Sequence, residues 1–185
     1  MRIISGTCRG KKLTPLAGRD IRPTSDRVRE SIFNIIRDHV QGAAVLDLFA
    51  GTGALGLEAL SRGADHAVFV DASQEACSVV KANCHMCRLS HKATIICQDL
   101  TRALPPGIGV KGFDLVFMDP PYGRNLITTL LNLPGFMDVI NPGALMIAEH
   151  STLENPFKDI SGLDIPDQRK YGKTRITFFK YNFSQ

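Results

Sequence analysis

Short apolar runs alternate with segments of helical periodicity along the central part of this 185-residue chain. The first run, residues 45–49, leads into a glycine-rich stretch, after which apolar residues recur at helical spacing between 55 and 60. The same alternation predicts strands at 66–71, 93–97, 113–118 and 143–149, and helices at 74–87 and 124–132. Continuously apolar strands are typical of parallel sheets that helices cover on both faces. We therefore predict an α/β fold with a doubly wound, mostly parallel sheet.

The C-terminal region follows a different pattern. Residues 171–181 alternate more between polar and apolar positions, and they closely follow the apolar stretch 160–165. This arrangement predicts an antiparallel hairpin that closes the sheet and brings it to seven strands.

The N-terminal region has the pattern of a small appended unit. Residues 2–6 and 9–13 predict two short strands separated by a turn. Thr24 or Ser25 is expected to cap a helix, because a hydroxyl there precedes the first apolar residues of a helical pattern. The helix should gather Val28, Ile32, Ile35 and Ile36 on one face and leave Arg27, Arg29 and Arg37 elsewhere. We predict an N-terminal extension, a hairpin plus a helix, at 1–40 and a main domain at 41–185.

Composition narrows the class of protein. The chain is 44% hydrophobic and 22% charged, as in ordinary globular domains, and it contains neither a signal-peptide pattern nor about 18 successive apolar residues. The five cysteines are odd in number and irregularly spaced, which indicates free thiols in a reducing compartment. Cys84 and Cys87 have the spacing of half a zinc site, but only His91 lies near, so no metal is expected. We predict a soluble cytoplasmic protein.

Positive charge is concentrated at the N-terminus. Residues 1–37 carry nine Lys or Arg and three acids, a local charge of +6 within a total of +4. A basic segment attached to a nearly neutral domain is typical of proteins that bind phosphate backbones, although a solvated arm would look the same. The cations expected to contact RNA are Arg2, Arg9, Lys11, Lys12, Arg22 and Arg27.

A glycine motif follows the first strand of the predicted sheet. Gly51, Gly53 and Gly56, with Asp71 about 20 residues further on, match both a dinucleotide fingerprint and a methyl-donor fingerprint. Several carboxylates at this edge would repel a pyrophosphate but favour the sulfonium of S-adenosylmethionine. The acids at or near the carboxyl ends of strands are Asp47, Asp71, Asp99 and Asp119. We therefore favour S-adenosylmethionine, with a nicotinamide oxidoreductase as the alternative.

Each cofactor residue has an expected role. Asp71 should accept both ribose hydroxyls, unless it caps the following helix. Gly51 and Gly53 allow close approach of the backbone, and Asp99 should accept from the adenine amine unless it only forms a turn. Asp47 should reach the donor's ammonium, directly or through water. The expected cofactor site comprises Asp47, Phe49, Gly51, Thr52, Gly53, Asp71 and Asp99.

The tetrapeptide Asp119-Pro120-Pro121-Tyr122 follows another apolar strand. An exocyclic base amine is a poor nucleophile because its lone pair is delocalised into the ring. If the Asp119 carboxylate and the Pro120 carbonyl both accept its N–H bonds, the lone pair can point at a methyl group. The two prolines stiffen the backbone and remove N–H donors, and Tyr122 offers a face for stacking. The alternative is a structural Pro-Pro turn.

Together, these segments resemble the RsmD-type 16S rRNA guanine-N2 methyltransferases, over essentially the whole chain. The strings that carry the resemblance are residues 2–6, 9–13, 22–34, 46–53 and 119–122. The resemblance implies a class I methyltransferase fold, with 41–185 as the S-adenosylmethionine-dependent domain and 1–40 contacting RNA. It also implies a bacterial cytoplasmic enzyme that methylates the 2-amino group of a guanine in small-subunit rRNA within a ribosomal particle. Thr24 and Arg22 fall where such enzymes contact the methionine carboxylate of the donor, whereas Cys84 and Cys87 are not family features.

Two other functions remain open at this stage. An adenine-N6 methyltransferase acting on DNA or RNA would use the same tetrapeptide, although 185 residues leave little room for a separate target-recognition domain. A non-catalytic RNA-binding module would retain the basic segment without needing the tetrapeptide.

Overall fold

The computed structural model describes residues 1–16, 26–108, 112–158, 160 and 162–181. Its helices are α1 (Asp26–Ile35), α2 (Ala54–Ser61), α3 (Gln74–Cys87) and α4 (Leu126–Leu131), with 3-10 turns at Gly6–Cys8, Arg37–His39, Ser90–Lys92 and Met137–Val139. Its strands are β1 (Ala44–Leu48), β2 (His66–Asp71), β3 (Ala93–Cys97), β4 (Phe113–Met118), β5 (Ile140–Ser151), β6 (Leu163–Tyr171) and β7 (Thr174–Tyr181). None of these helices is long and apolar enough to cross a membrane.

Within the described residues the strands form one seven-stranded sheet in the order β3-β2-β1-β4-β5-β7-β6. Strands β1 to β5 run parallel to one another, and β7 runs antiparallel between β5 and β6. The predicted sheet and its closing hairpin are therefore confirmed. Strand order reverses at β1, between β2 and β4, so this is the topological switch point where open α/β sheets bind ligands at the carboxyl ends of their strands.

Both faces of the sheet are buried because each central strand is apolar at successive positions. In β1, Val45 contributes to the core beneath α1, α2 and α3, whereas Leu46 and Leu48 contribute to the core beneath α4. The first of these cores also contains Ile3, Cys8 and Leu13 of the N-terminal extension. The extension therefore packs into the same hydrophobic core as the sheet.

The predicted pair of N-terminal strands is present only as a short antiparallel contact, in which Ile3 N donates to Lys11 O and Leu13 N donates to Met1 O. The described residues there contain a single antiparallel bridge between Arg2 and Lys12, and a 3-10 turn fills the space between them. The physical reason is that α2 takes the hydrogen bonds a ladder would need: the backbone N–H groups of Ile4 and Ser5 both donate to Glu58. Gly6 has a φ of +78°, and a Cβ there would overlap the carbonyl of Ser61, so the turn lies directly on the end of α2.

Helix α1 buries a different face from the one predicted. Ile32 and Ile36 are buried as expected, but Ile35 is 39% exposed and Phe33 takes its place in the core. Arg29, which we placed on the polar side, is completely buried. It is accommodated there because Asp26 and Glu58 provide carboxylates on either side. The predicted caps, Thr24 and Ser25, lie outside the described residues.

The cysteines are free thiols, and all but Cys97 are buried. Burial raises the pKa of Cys84 to about 12 and that of Cys87 to about 11, so both thiols stay protonated and are poor metal ligands. The described part of the chain contains no group of three or more His, Cys, Asp or Glu side chains placed to hold a metal ion.

Candidate active site

The glycine turn at the end of β1 has an unusual backbone. Gly51 and Gly53 have φ values of +55° and +75°, and Phe49 also lies in the left-handed region at +60°. This conformation is costly for a residue that has a Cβ, so Phe49 is held there by its surroundings. At Gly56 a Cβ would lie 2.4 Å from the ring of Phe69, so only glycine allows α2 to pack this closely on β2. The motif thus combines a tight turn with close packing of helix and sheet.

Asp71 supports this turn from the end of β2. Its Oδ2 accepts from the backbone N–H of Gly51 and its Oδ1 from that of Ser73, each at 2.9 Å. Ser73, and not Asp71, is the N-cap of α3, because its hydroxyl accepts from Ala76 N at 3.3 Å. The carboxylate is only partly buried and has lone pairs beyond these two bonds, so it remains suited to a hydroxyl ligand.

Asp47 occupies the interior of the same edge. It is buried, and its Oδ2 accepts from the backbone N–H of Gly56 at 2.8 Å. Burial raises the pKa of Asp47 to about 8, and the charges of Asp119 and Asp71 raise it further against the Gly56 hydrogen bond. In the ligand-free protein this carboxyl is therefore mostly neutral near pH 7. A cation bound at this edge would favour the ionised form of Asp47.

This raised pKa predicts how stability depends on pH. Asp47 binds a proton in the folded protein that it has lost in the unfolded chain between its ordinary value of 3.8 and about 8. Its contribution to the free energy of unfolding is therefore complete below pH 3.8 and falls as pH rises towards 8, by at most about 1.4 kcal/mol per pH unit. Chemical denaturation of the ligand-free protein at several pH values should show this decline, and Asp47→Asn should flatten it. An identical pH dependence in both proteins would contradict the burial of an acid at this position.

Asp99 forms a turn after β3. Its Oδ1 accepts from both the backbone N–H and the hydroxyl of Thr101, at 2.9 and 2.7 Å, and these bonds lower its pKa. The turn that we weighed against a ligand role is thus present, while an exposed part of the carboxylate remains for a ligand. Thr52 lies in the glycine turn, where its carbonyl accepts from Asn83 Nδ2 at 2.9 Å. Thr24 is outside the described residues.

The tetrapeptide is fixed to the neighbouring strands. Asp119 directly follows β4, Pro120 is buried, and Pro121 is exposed. The Tyr122 hydroxyl donates to Glu149 Oε1 at 2.7 Å and lies 2.9 Å from Thr174 Oγ1, which ties the loop to β5 and β7. Burial, reinforced by Glu149, raises the pKa of Tyr122, so the phenol stays protonated at neutral pH. Even so, the side chain is 42% exposed and presents a surface for stacking.

A second tie holds the residue after the tetrapeptide. The backbone N–H of Gly123 donates to Glu154 Oε1 at 2.6 Å, and the other oxygen of Glu154 accepts from Ser151 N at 2.9 Å. Glu149, Thr174 and Glu154 were not predicted from the sequence as site residues. Glu149 could have been identified as an acid at the carboxyl end of an apolar run. Thr174 and Glu154 stand in no local sequence pattern that marks them as site residues.

A pocket adjoins the tetrapeptide, and its lining includes Pro120, Pro121, Tyr122, Glu149, His150 and Pro156. His150 is buried, its Nδ1 donates to the carbonyl of Ser151, and its Nε2 lies 2.9 Å from Thr177 Oγ1. Burial lowers the pKa of His150, so the imidazole is neutral at physiological pH. The pocket therefore has walls of proline, tyrosine and a neutral histidine, with the acids Glu149 and Glu154 in its lining.

The predicted RNA-binding cations are spread over the surface of the extension. Arg2, Arg9, Lys12 and Arg27 are exposed. Lys11 is partly buried, and its Nζ donates to the carbonyl of Met86 at the end of α3. Arg22 lies outside the described residues.

Buried polar residues on α2 and α3 hold the extension in place, and the sequence analysis missed them as well. Glu58 accepts from Ile4 N at 2.7 Å and Ser5 N at 3.0 Å. Asn83 exchanges hydrogen bonds with the backbone of Thr14 while donating to the glycine turn. Glu58 and Asn83 could have been identified because each is a polar residue on a helix face that is otherwise buried.

Comparisons with known proteins identify the family. A family model described as "Conserved hypothetical protein 95" (Cons_hypoth95) matches residues 1–180. The Bacillus subtilis protein YlbH is 38% identical over 181 residues, 97% of this chain and 98% of that protein. A Haemophilus influenzae protein named "Ribosomal RNA small subunit methyltransferase D" is 36% identical over 150 residues, 80% of this chain and 78% of the relative. The chain belongs to the RsmD-type methyltransferase family.

Solved structures agree with this assignment. The Escherichia coli protein yhhF has a TM-score of 0.82 at 29% identity, covering 100% of this chain and 99% of that one. The fold is that of the class I methyltransferases, as the resemblance implied. The glycine turn, Asp47, Asp71 and the tetrapeptide that begins with Asp119 lie together at the carboxyl ends of the strands. This is the edge at which open α/β sheets bind ligands.

Proposed function

We propose that this RsmD-type enzyme transfers a methyl group from S-adenosylmethionine to the 2-amino group of a guanine in 16S rRNA, within the small ribosomal subunit or its assembly intermediate. The observation that carries the proposal is the position of Asp119 and Pro120, directly after β4 and beside the acidic edge that holds Asp47 and Asp71. The printed name of the Haemophilus influenzae relative supports small-subunit rRNA as the substrate class.

The acidic edge fits S-adenosylmethionine better than a dinucleotide. When bound, this cofactor supplies a methyl group activated by a positively charged sulfur. Asp47 and Asp71 favour a cation, and ionisation of Asp47, which is unfavourable in the ligand-free protein, becomes less costly beside one. A pyrophosphate would add negative charge to the same place. We assign the ribose to Asp71, the close backbone approach to Gly51 and Gly53, and the adenine amine to Asp99.

The remaining cofactor residues have supporting roles in the proposal. Phe49 and Thr52 complete the turn around the two glycines, and Asn83 holds the carbonyl of Thr52. Thr24 remains a proposed contact to the methionine carboxylate.

The tetrapeptide acts on the amine of the base. The Asp119 carboxylate and the Pro120 carbonyl accept the two N–H bonds, which localises the nitrogen lone pair and directs it at the donor. Neither Pro120 nor Pro121 has a backbone N–H, so no donor competes for these acceptors. Preorganised acceptors of this kind avoid the reorganisation that water would require. After transfer the nitrogen is acidic, and its proton passes to water.

Tyr122 positions the base. Its ring is held by the bonds from its hydroxyl to Glu149 and Thr174, so the face offered to the base is fixed before binding. Stacking on such a ring contributes about 1–3 kcal/mol per base. The exposed cations of the extension, Arg2, Arg9, Lys12 and Arg27, together with Lys11 and Arg22, are proposed to contact the rRNA backbone.

Methyl transfer to small ribosomal subunits that lack the modification tests the proposal. The purified protein, supplied with isotopically labelled S-adenosylmethionine, is expected to label the subunits, and nuclease digestion followed by mass spectrometry should identify N2-methylguanosine. Label in N6-methyladenosine would replace the proposal with the adenine-specific alternative. Calorimetric binding of NADH in preference to S-adenosylmethionine would replace it with an oxidoreductase.

A further inference from the structure

Two loops beside the tetrapeptide form a continuous surface that has no assigned role in substrate binding. One is the loop 151–155 after β5, and the other is the hairpin segment 169–175 at the junction of β6 and β7. The backbone N–H of Thr152 donates to the carbonyl of Lys173 at 2.9 Å, which joins the two. We call this combined surface, residues 151–155 and 169–175, the rim.

The rim is attached directly to the tetrapeptide. Thr174 lies 2.9 Å from the Tyr122 hydroxyl, and Glu154 accepts from Gly123 N at 2.6 Å. A group bound on the rim would therefore lie next to whatever occupies the pocket beside Tyr122. Residues 1–14 of the N-terminal extension, in contrast, are hydrogen-bonded to α2 and α3 in the other half of the sheet, whereas α1 reaches the rim, where the Ser31 hydroxyl is hydrogen-bonded to that of Tyr171.

The rim carries an unbalanced positive charge. Residues 169–175 contain four cations and no acid. Arg169 pairs with Asp167 at 2.9 Å, and Arg175 is partly buried next to His150. Lys170 and Lys173 are exposed, and Lys170 stands opposite Arg175 across the hairpin. The four cations outnumber the nearby acids Glu149 and Glu154, which accept from the tetrapeptide loop, so the net charge of this surface is positive.

The rim also carries an apolar side chain that faces solvent. Leu153 is 95% exposed, the highest value among the large exposed hydrophobic residues that the structure describes. It adjoins Glu154 and Thr152, the two residues that hold the loop against the tetrapeptide and the hairpin. Its backbone N–H donates to Ser151 Oγ, so the position of the loop is set by hydrogen bonds and not by burial of the leucine.

We propose that the rim is a second RNA contact, separate from the basic residues 2–12 of the N-terminal extension. Lys170 and Lys173 bind backbone phosphates next to the methylated nucleotide, and Leu153 packs against an adjacent base after the target base has turned into the pocket. An enzyme that acts on a base amine must remove that base from its stack, which exposes the faces of the neighbouring bases. An apolar side chain that packs against such a face lowers the free-energy cost of unstacking. This inference rests on the proposed function.

The salt dependence of binding tests the phosphate contacts. The affinity for undermodified small ribosomal subunits is measured over a range of KCl concentrations for the unaltered enzyme and for Lys170→Ala/Lys173→Ala. Losing two phosphate contacts should reduce the slope of log K against log salt by about 1.4, since each contact to single-stranded nucleic acid contributes about 0.7. The matched control is Lys81→Gln/Lys92→Gln, which removes one charge from the exposed face of α3 and one just before β3, the edge strand opposite β6. An unchanged slope in the rim variant, or an equal reduction in the control, would overturn the phosphate contacts.

Leu153→Ala tests the apolar contact separately. Because the leucine is exposed, the variant should fold normally and bind S-adenosylmethionine as before. Its KM for the subunits should rise roughly tenfold, while its salt slope stays unchanged. A KM equal to that of the unaltered enzyme would overturn this part. If the unaltered enzyme methylates the subunits while both rim variants match it, only the rim inference fails; if the unaltered enzyme does not methylate them, the proposed function fails and the inference with it.

Discussion

Asp119→Ala is expected to lower the kcat of methyl transfer by roughly 10²- to 10³-fold, the loss seen when one preorganised polar group is removed from an active site. The variant loses the carboxylate that we propose to accept from the base amine, so the nitrogen lone pair should stay delocalised. The KM for the ribosomal subunit should change little, because the cations proposed to contact RNA lie elsewhere on the surface. Single-turnover rates with labelled S-adenosylmethionine measure the effect on the chemical step.

The folded state of this variant provides an internal check. The charge of Asp119 is one of the causes that raise the pKa of Asp47, so its removal should shift the pKa of Asp47 downward in the ligand-free protein. Asp119→Asn, which keeps one acceptor oxygen, should retain more activity than Asp119→Ala. Asp138→Ala, at an exposed acid in the 3-10 turn before β5, is the matched control and should behave as the unaltered enzyme. Activity in Asp119→Ala within a fewfold of normal would show that the tetrapeptide is structural.

Glu58→Gln is expected to cause the largest loss of stability, about 3–5 kcal/mol in the free energy of unfolding. Glu58 is completely buried, accepts from Arg62 Nε at 2.7 Å, and lies 3.9 Å from Arg29 Nε. Arg29 is also completely buried, and burial lowers its pKa against the charges of Asp26 and Glu58. Removing the charge of Glu58 leaves the guanidinium of Arg29 with only Asp26 to compensate it. Urea denaturation at neutral pH measures the difference.

A second variant separates the ion pair from the backbone contacts of Glu58. Arg29→Met/Glu58→Gln removes both buried charges and should recover part of the lost stability. Recovery should be incomplete, because an amide is a weaker acceptor for Ile4 N and Ser5 N than a carboxylate. Glu30→Gln, an exposed acid on α1, is the control and should stay within about 0.5 kcal/mol. Equal stability of Glu58→Gln and Glu30→Gln would contradict the assigned network.

The sheet and the site motifs could be predicted from the sequence because they depend on local patterns. Apolar runs set the parallel strands, and the glycines and the tetrapeptide follow directly from the strands that position them. The resemblance to RsmD-type enzymes is confirmed by the family match over residues 1–180. Asp47, Asp71 and Asp119 each lie near the carboxyl end of a predicted strand. Because these ends meet at one edge of a parallel sheet, the sequence also predicted that the three acids lie together.

What the sequence could not supply depends on contacts between distant segments. Helical periodicity treats an arginine as a solvent-facing residue, whereas Arg29 is buried because Glu58, 29 positions away, provides a carboxylate. The two N-terminal strands are shorter than predicted for a related reason, since Glu58 takes the N–H groups of Ile4 and Ser5 that would have extended their ladder. The expectation for Asp47 did not include its burial, which becomes apparent only when α2 packs over β1 and Gly56 donates to it.

The most direct test of the central claim is a mass-spectrometric map of 16S rRNA from cells in which the gene for this protein has been deleted. One guanine is predicted to lose its N2-methyl group, and expression of the unaltered protein should restore it, whereas Asp119→Ala should not. No change in any N2-methylguanine after deletion, or restoration by Asp119→Ala, would contradict methyl transfer to a guanine amine by the tetrapeptide.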